Sequence, residues 1–190
     1  MDEHAGMADS VPPSLRAVAG AAGIRRAAPS DCAAIAAIYA QAVASGRASM
    51  DTEPPDAASF EARLAGLSPR EELLVAEGPG GVTGWGIVKR YSDRPGYAIA
   101  CETSVYVAEA AQGRGVGSLL LDALVARAAQ LGYRHLVAKI MGVNEHSIEF
   151  HARRGFEHVG RQRNIGLIDG VLHDVVIMQR LLPEATEGTP

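Results

Sequence analysis

Apolar positions recur along this chain in two periods, one close to two and one close to three and a half. Residues 24–27 read as a first short strand. Pro29-Ser30-Asp31 then gives an N-cap signal for a helix. Ile35, Ile38, Tyr39, Ala42 and Val43 follow at helical spacing until Gly46. Residues 50–55 form a loop and 56–67 a second helix. Strands over 73–77 and 82–89 flank the tight turn Gly78-Pro79-Gly80-Gly81, which makes a hairpin. After a polar loop over 90–96, residues 97–107 read as one long strand. Leu119, Leu120, Leu124, Ala128 and Leu131 then form an apolar helical stripe closed by Gly132. A strand over 135–140, a helix over 144–153 ended by Gly155, and closing strands over 156–163 and 173–181 complete the chain. The order β-α-α-β-β-β-α-β-α-β-β lacks strict βαβ repetition. It predicts an α+β fold: a mixed, largely antiparallel twisted sheet flanked by helices.

The length of 190 residues suits one domain, and 47% hydrophobic residues supply its core. The folded domain is placed at 23–182. Residues 1–22, rich in Ala, Gly, Pro and Ser, read as a mobile extension, and 183–190 as a tail. A formal net charge of -4 argues against nucleic acid or an anionic membrane as partner. No apolar run approaches the ~18–20 residues that cross a bilayer. The acidic start Met1-Asp2-Glu3-His4 lacks the basic-then-apolar order of a secretory signal, so the cytoplasm is the expected compartment. Cys32 and Cys101 are far apart, and His146 and His151 are five positions apart rather than four. Neither a disulfide framework nor a metal site is expected.

The chemistry concentrates at Gln112-Gly113-Arg114-Gly115-Val116-Gly117-Ser118, between a strand and a helix. Glycines let the backbone turn sharply and let a ligand approach its amides. The following helix aims unsatisfied N–H groups and the positive end of its dipole at the turn. Together these favour a phosphate group, with Arg114 adding charge. A P-loop would need a Lys, which is absent, and a dinucleotide fingerprint would need Gly where Ser118 stands.

What remains, Gln-x-x-Gly-x-Gly, resembles the pyrophosphate loop of the GCN5-related N-acetyltransferases. That resemblance implies acetyl-CoA as co-substrate, no metal and a homodimer. It implies that the strand before the loop splays from its neighbour, so that Val105, Tyr106 and Val107 pair with the pantetheine amides of CoA. Within the cofactor set it includes Gln112, Gly113, Arg114, Gly115, Val116, Gly117 and Ser118. Asn144 joins them as a CoA contact that can also cap its helix.

Four segments narrow the resemblance to the phosphinothricin and methionine sulfoximine acetyltransferases: Asp51-Thr52-Glu53-Pro54, Glu102-Thr103-Ser104-Val105-Tyr106-Val107, His151 with Gly155-Phe156, and Gly170-Val171-Leu172-His173-Asp174-Val175. The likeness runs from about residue 24 to 182. Leu172 replaces a usual Trp and Met50 a frequent aromatic, which leaves the amine substrate open. The resemblance implies acetyl transfer to the amino group of a small amino-acid-like molecule. An amine attacks a thioester only when neutral, and Glu102, in an otherwise apolar or neutral strand, is the candidate base. Partial burial is expected to raise its pKa; a structural carboxylate paired with an Arg is the alternative. His151 either protonates the CoA thiolate or holds the substrate, and the Val105 amide is a candidate oxyanion donor. Arg90 and Arg94 are candidates for the substrate's acidic groups. Tyr91, Tyr97, His173, Thr52 and Glu53 complete the expected substrate set. Two rivals stand: an acetyltransferase acting on protein N-termini or lysines, and a non-catalytic acetyl-CoA-binding module.

Overall fold

The structure, a computed structural model, describes residues 23–183. The expected extension over 1–22, and the tail beyond residue 183, lie outside the described residues. The elements follow the expected order: β1 (Gly23–Arg26), α1 (Cys32–Ala44), α2 (Ala57–Ala65), β2 (Glu72–Gly78), β3 (Gly81–Arg90), β4 (Ala100–Val107), α3 (Val116–Gln130), β5 (His135–Met141), α4 (Glu145–Ala152), β6 (Glu157–Ile168) and β7 (Val171–Leu181). The strands form one sheet in the order β1-β2-β3-β4-β5-β7-β6. Every neighbouring pair is antiparallel except β4 with β5.

Side-chain alternation on the central strands feeds two separate cores. On one face Leu120, Leu121, Leu124 and Ala128 of α3 pack on Leu74, Val88, Cys101, Leu136 and Met178. On the other, Ile35, Ile38 and Tyr39 of α1 and Phe60 of α2 pack on Leu73, Val75, Trp85 and Ile87. With both faces covered, β2 reads as a continuous apolar run rather than an alternating one. Gly86 lets α3 approach the sheet closely: a Cβ there would stand 2.7 Å from Leu124 Cδ1 and 2.8 Å from the Ser104 carbonyl oxygen.

Three expectations change. The strand expected from residue 97 begins at Ala100, because Pro95–Tyr97 is a 3-10 turn in which Tyr97 N–H donates to the Arg94 carbonyl (2.9 Å). Proline fixes its own φ near −65° and so favours a turn there over extended backbone. The two closing strands are longer than expected and meet at Asp169 (φ 49°) and Gly170 (φ 79°). Left-handed backbone at both positions of a two-residue hairpin is what Asp-Gly favours, and that dipeptide was the available signal. Asp31 stands at the N-cap of α1, but its side chain makes no cap hydrogen bond to that helix. It closes a 3-10 turn, accepts from the Ala28 N–H (2.8 Å) and takes both terminal nitrogens of Arg25, at 2.7 and 2.9 Å. Asp56 and Asn144 do cap their helices, accepting from the Ser59 and Ser147 N–H groups.

Candidate active site

The parallel pair in the sheet is short. β4 meets β5 only at Ala100↔His135, Cys101↔Leu136 and Glu102↔Val137. Beyond Glu102, β4 stays paired with β3 up to Val107, while β5 stays paired with β7 up to Met141. The two neighbours therefore part, leaving a wedge whose vertex is Glu102 and whose β4 wall offers unpaired backbone groups. Such a wall can pair with an extended ligand as a neighbouring strand would.

At the mouth of the wedge the chain enters the glycine turn. Gly113 (φ 72°) and Gly115 (φ 84°) are both left-handed, a conformation that L side chains resist. Gly115 is the N-cap of α3 and makes no side-chain cap, so the first amides of α3 remain free for an anion. Gln112 ties the turn back to the strand, its Nε2 donating to the Val107 carbonyl at 3.3 Å. Between β4, this turn and α4 lies a cavity of about 820 Å³. Every residue of the expected cofactor set lines it except Arg114, and so does His151. Its far wall is the end of α1 and the loop after it, with Gln41, Ser45 and Arg47.

His151 is buried between the rings of Phe150 and Phe156, both edge-on at 5.2 and 5.1 Å. Its Nδ1 lies 2.8 Å from the Ser147 carbonyl oxygen and 3.4 Å from the Ser147 hydroxyl. Burial pushes its pKa below the usual histidine value, against a smaller opposing effect of the Ser147 carbonyl. Glu102 sits in a different environment. Lys139 Nζ is 2.7 Å from one of its oxygens and Lys89 Nζ 3.0 Å from the other. Burial pushes the carboxyl pKa up, but hydrogen bonds from the two ammoniums and their charges outweigh it, and the net shift is down. The expected upward shift is therefore reversed. The sequence showed the neutral neighbours of Glu102 along β4, not the lysines that β3 and β5 bring alongside.

The chain matches the Acetyltransferase (GNAT) domain family over residues 24–177. It belongs to that family. A phosphinothricin N-acetyltransferase of Alcaligenes faecalis is 39% identical over 80% of this chain and 78% of its own length. An L-methionine sulfoximine/L-methionine sulfone acetyltransferase of Salmonella typhimurium is 35% identical over 85% of this chain and 95% of its own. A GNAT superfamily phosphinothricin acetyltransferase from Sinorhizobium meliloti, solved in complex with acetyl-CoA, superposes with a TM-score of 0.81 at 32% identity, covering 90% of this chain and 93% of that one. This chain is accordingly a GNAT acetyltransferase that uses acetyl-CoA.

In this acetyltransferase none of Thr52, Glu53, Arg90, Tyr91, Arg94, Tyr97 and His173 lines the cavity. Arg90 is held by Asp93 (3.0 Å) and Glu71 (3.7 Å), so it is not a free cation. Tyr91 and Tyr97 meet edge-on at 5.5 Å, and Lys139, the partner of Glu102, has its Nζ 5.7 Å from the Tyr91 ring centre. Asp174 accepts from the Asn164 N–H (2.8 Å) and pairs with Arg161 (3.2 Å), holding an irregular turn of β6 rather than a pocket wall. Tyr39 OH donates to Asp51 (2.6 Å) and meets the Ser49 hydroxyl (2.7 Å), anchoring the loop that carries Thr52 and Glu53.

Sequence reasoning missed Lys89, Lys139 and the wall at Gln41, Ser45 and Arg47. A lysine inside the apolar run of β5 was a usable signal for Lys139. Nothing local marks the end of α1 as a cavity wall; that contact is made through Gln41 Oε1, which accepts from the distant Glu109 N–H. Among the described residues no group of His, Cys, Asp and Glu is arranged to hold a metal, and no helix is long and apolar enough to cross a membrane.

Proposed function

We propose that this acetyltransferase moves the acetyl group of acetyl-CoA to the amino group of a small amino-acid-like substrate, of the phosphinothricin, methionine sulfoximine or methionine sulfone type. The observation that carries the reading is the Lys89–Glu102–Lys139 cluster at the vertex of the wedge. Such substrates combine an ammonium, a carboxylate and a second oxygen-rich group. One carboxylate between two ammoniums is the complementary pattern: Glu102 holds the ammonium, and Lys89 and Lys139 take the oxygens. The lysines thus replace Arg90 and Arg94 as the cations of the reading. With its pKa lowered, Glu102 is ionised at neutral pH, which strengthens it as an anchor for the amine and weakens it as a base. The pantetheine arm lies along Val105–Val107, its pyrophosphate on the first amides of α3, and the Val105 amide serves the oxyanion.

The test is free-thiol release from acetyl-CoA with phosphinothricin, methionine sulfoximine, methionine sulfone, the standard amino acids, a lysine peptide and a polyamine. Turnover is expected only with the amino-acid analogues. In Glu102→Gln the loss should appear chiefly as a raised KM for the amine, on the order of ten- to a hundredfold, the size of one charged hydrogen bond. Turnover on the lysine peptide alone sinks the small-molecule reading. The same reading includes a homodimer, supported by apolar side chains left exposed on the β6–β7 hairpin.

A further inference from the structure

We infer that Lys139 is a site of self-acetylation: in the absence of amine its Nζ takes the acetyl group of bound acetyl-CoA, and the modified chain then binds the amine less well. The inference rests on the placement of the thioester beside the Val105 amide in the reading above, and it adds a regulation of that site. It starts from the sequence. The chain has 18 lysines and arginines, and only two of them are lysines, Lys89 and Lys139. Both stand on Glu102. As a charge beside a carboxylate an arginine serves as well, and its planar fork fits the two oxygens better. A guanidinium keeps its proton, however, so it offers no lone pair to a thioester. A lysine can shed its proton and become a nucleophile. The chain thus places its only side-chain ammoniums at the vertex of the wedge.

The two amines are not equivalent. Lys89 belongs to β3, which flanks β4 on the side away from β5. Lys139 belongs to β5, two residues past Val137, the last residue that β5 shares with β4. It therefore stands on the wall of the wedge that faces Val105. Continued in step, the register sets Lys139 level with Ser104, one residue from Val105. Its Nζ reaches Glu102 at 2.7 Å and so crosses the vertex from one wall to the other. That is the position the reading above gives to the amine of the substrate. Lys139 is also the one exposed residue of β5, with 47% of its side chain accessible. An ion pair exposed to this degree holds its partners weakly, so the amine is free to leave Glu102 for the thioester.

The step is the enzyme's own reaction with Lys139 in the place of the substrate. The Lys139 ammonium loses one proton to solvent. The nitrogen lone pair forms the C–N bond to the thioester carbon, and the carbonyl π pair moves onto the oxygen at the Val105 amide. The carbonyl re-forms as the C–S bond breaks, and the pair leaves on sulfur. The surplus proton on nitrogen passes through solvent to the sulfur. N-acetyllysine and free CoA result, and nothing is oxidised or reduced. The acetylated side chain carries no charge. Glu102 keeps Lys89 alone, and the substrate loses one of the two cations that take its oxygens.

The experiment incubates the full chain with acetyl-CoA and no amine, and follows acetyl groups by peptide mass mapping over time. Lys139 should gain one acetyl group, and Lys89 serves as the internal control, so the wild type alone gives the result and no variant has to fold. A nucleophile held beside its target gains a large effective concentration, so Lys139 should react faster than Lys89 on the order of a hundredfold or more. Excess free CoA should slow the reaction by displacing acetyl-CoA. The acetylated enzyme should then show a KM for the amine raised about tenfold, the size of one lost charged contact. The KM of Lys139→Arg should not respond to the same treatment. A bare Lys139, equal labelling of both lysines, a rate indifferent to free CoA, or an unchanged KM after acetylation overturns the inference. Acetylation of Lys139 without turnover of any small amine sinks the substrate reading instead, and turnover with Lys139 bare does the reverse.

Discussion

At the scale of single residues, the chain uses carboxylates according to what neighbouring elements bring beside them. Asp31 is nearly buried and holds Arg25 through two short contacts while accepting the Ala28 amide. These interactions, led by the Arg25 hydrogen bond, keep its pKa below the usual carboxylate value despite burial. A group with a lowered folded pKa stabilises the fold above its unfolded pKa, about 3.9 for Asp, and loses that contribution as pH falls through the folded value. Asp31→Asn should therefore cost roughly 1.5–3 kcal/mol at pH 7, the range for hydrogen bonds to charged groups. The difference from wild type should shrink as pH is lowered below about 4. Urea midpoints at pH 7 and in acid check this; a gap independent of pH would mean the carboxylate charge is not what stabilises. Asp31 and Glu102 also mark where local reading stops. Both were visible as carboxylates in telling places, but a helix-start pattern cannot distinguish a cap from an ion-pair partner, and a strand pattern cannot see the adjoining strands.

At the scale of elements, order and type were legible because periodicity, caps and glycine stops all lie within a few residues of each other. The glycine turn was legible too, since the strand, the turn and the helix it needs are contiguous. The wedge was not contained in any local pattern: parting β4 from β5 depends on each keeping its other neighbour, and only the resemblance to relatives supplied it. The turn's geometry gives a direct test. Gly115 at φ 84° sets the direction of the first α3 amides. Forcing Ala into left-handed backbone costs about 1–2 kcal/mol, which the turn can relieve only by moving those amides. Gly115→Ala should weaken acetyl-CoA binding about 5- to 30-fold by calorimetry. Gly132→Ala carries similar strain (φ 80°) at the far end of the same helix, and should lower stability with little change in affinity. Equal affinity losses in both variants would show that the effect is general strain rather than the anion site.

At the scale of the whole molecule, one part of the sheet stands apart. β7 pairs with β5 only over Val175 to Leu181, so the distal hairpin, with Gly166↔His173, Leu167↔Leu172 and Ile168↔Val171, is a ribbon of two strands. A two-stranded ribbon is marginal in water unless it packs on something. On one side Gly166 meets Met50 of the loop after α1, where a Cβ would stand 2.7 Å from the Met50 sulfur. Elsewhere the ribbon leaves Ile165, Leu167, Val171 and Leu172 each more than half exposed. An exposed apolar cluster of this kind marks a surface for association, and a second copy of the chain is the occupant we favour. Sedimentation equilibrium at micromolar concentration is then expected to give about twice the monomer mass. Burying a leucine side chain is worth about 1.5–3 kcal/mol, and Leu167 and Leu172 face each other across the ribbon. The double variant Leu167→Glu/Leu172→Glu should therefore weaken association on the order of a hundredfold or more and run as a monomer, with an unchanged far-UV spectrum. A wild type that is already monomeric removes the second copy as occupant. A dimer indifferent to the double variant moves the interface to another face, most directly to one of the edge strands of the sheet, β1 or β6.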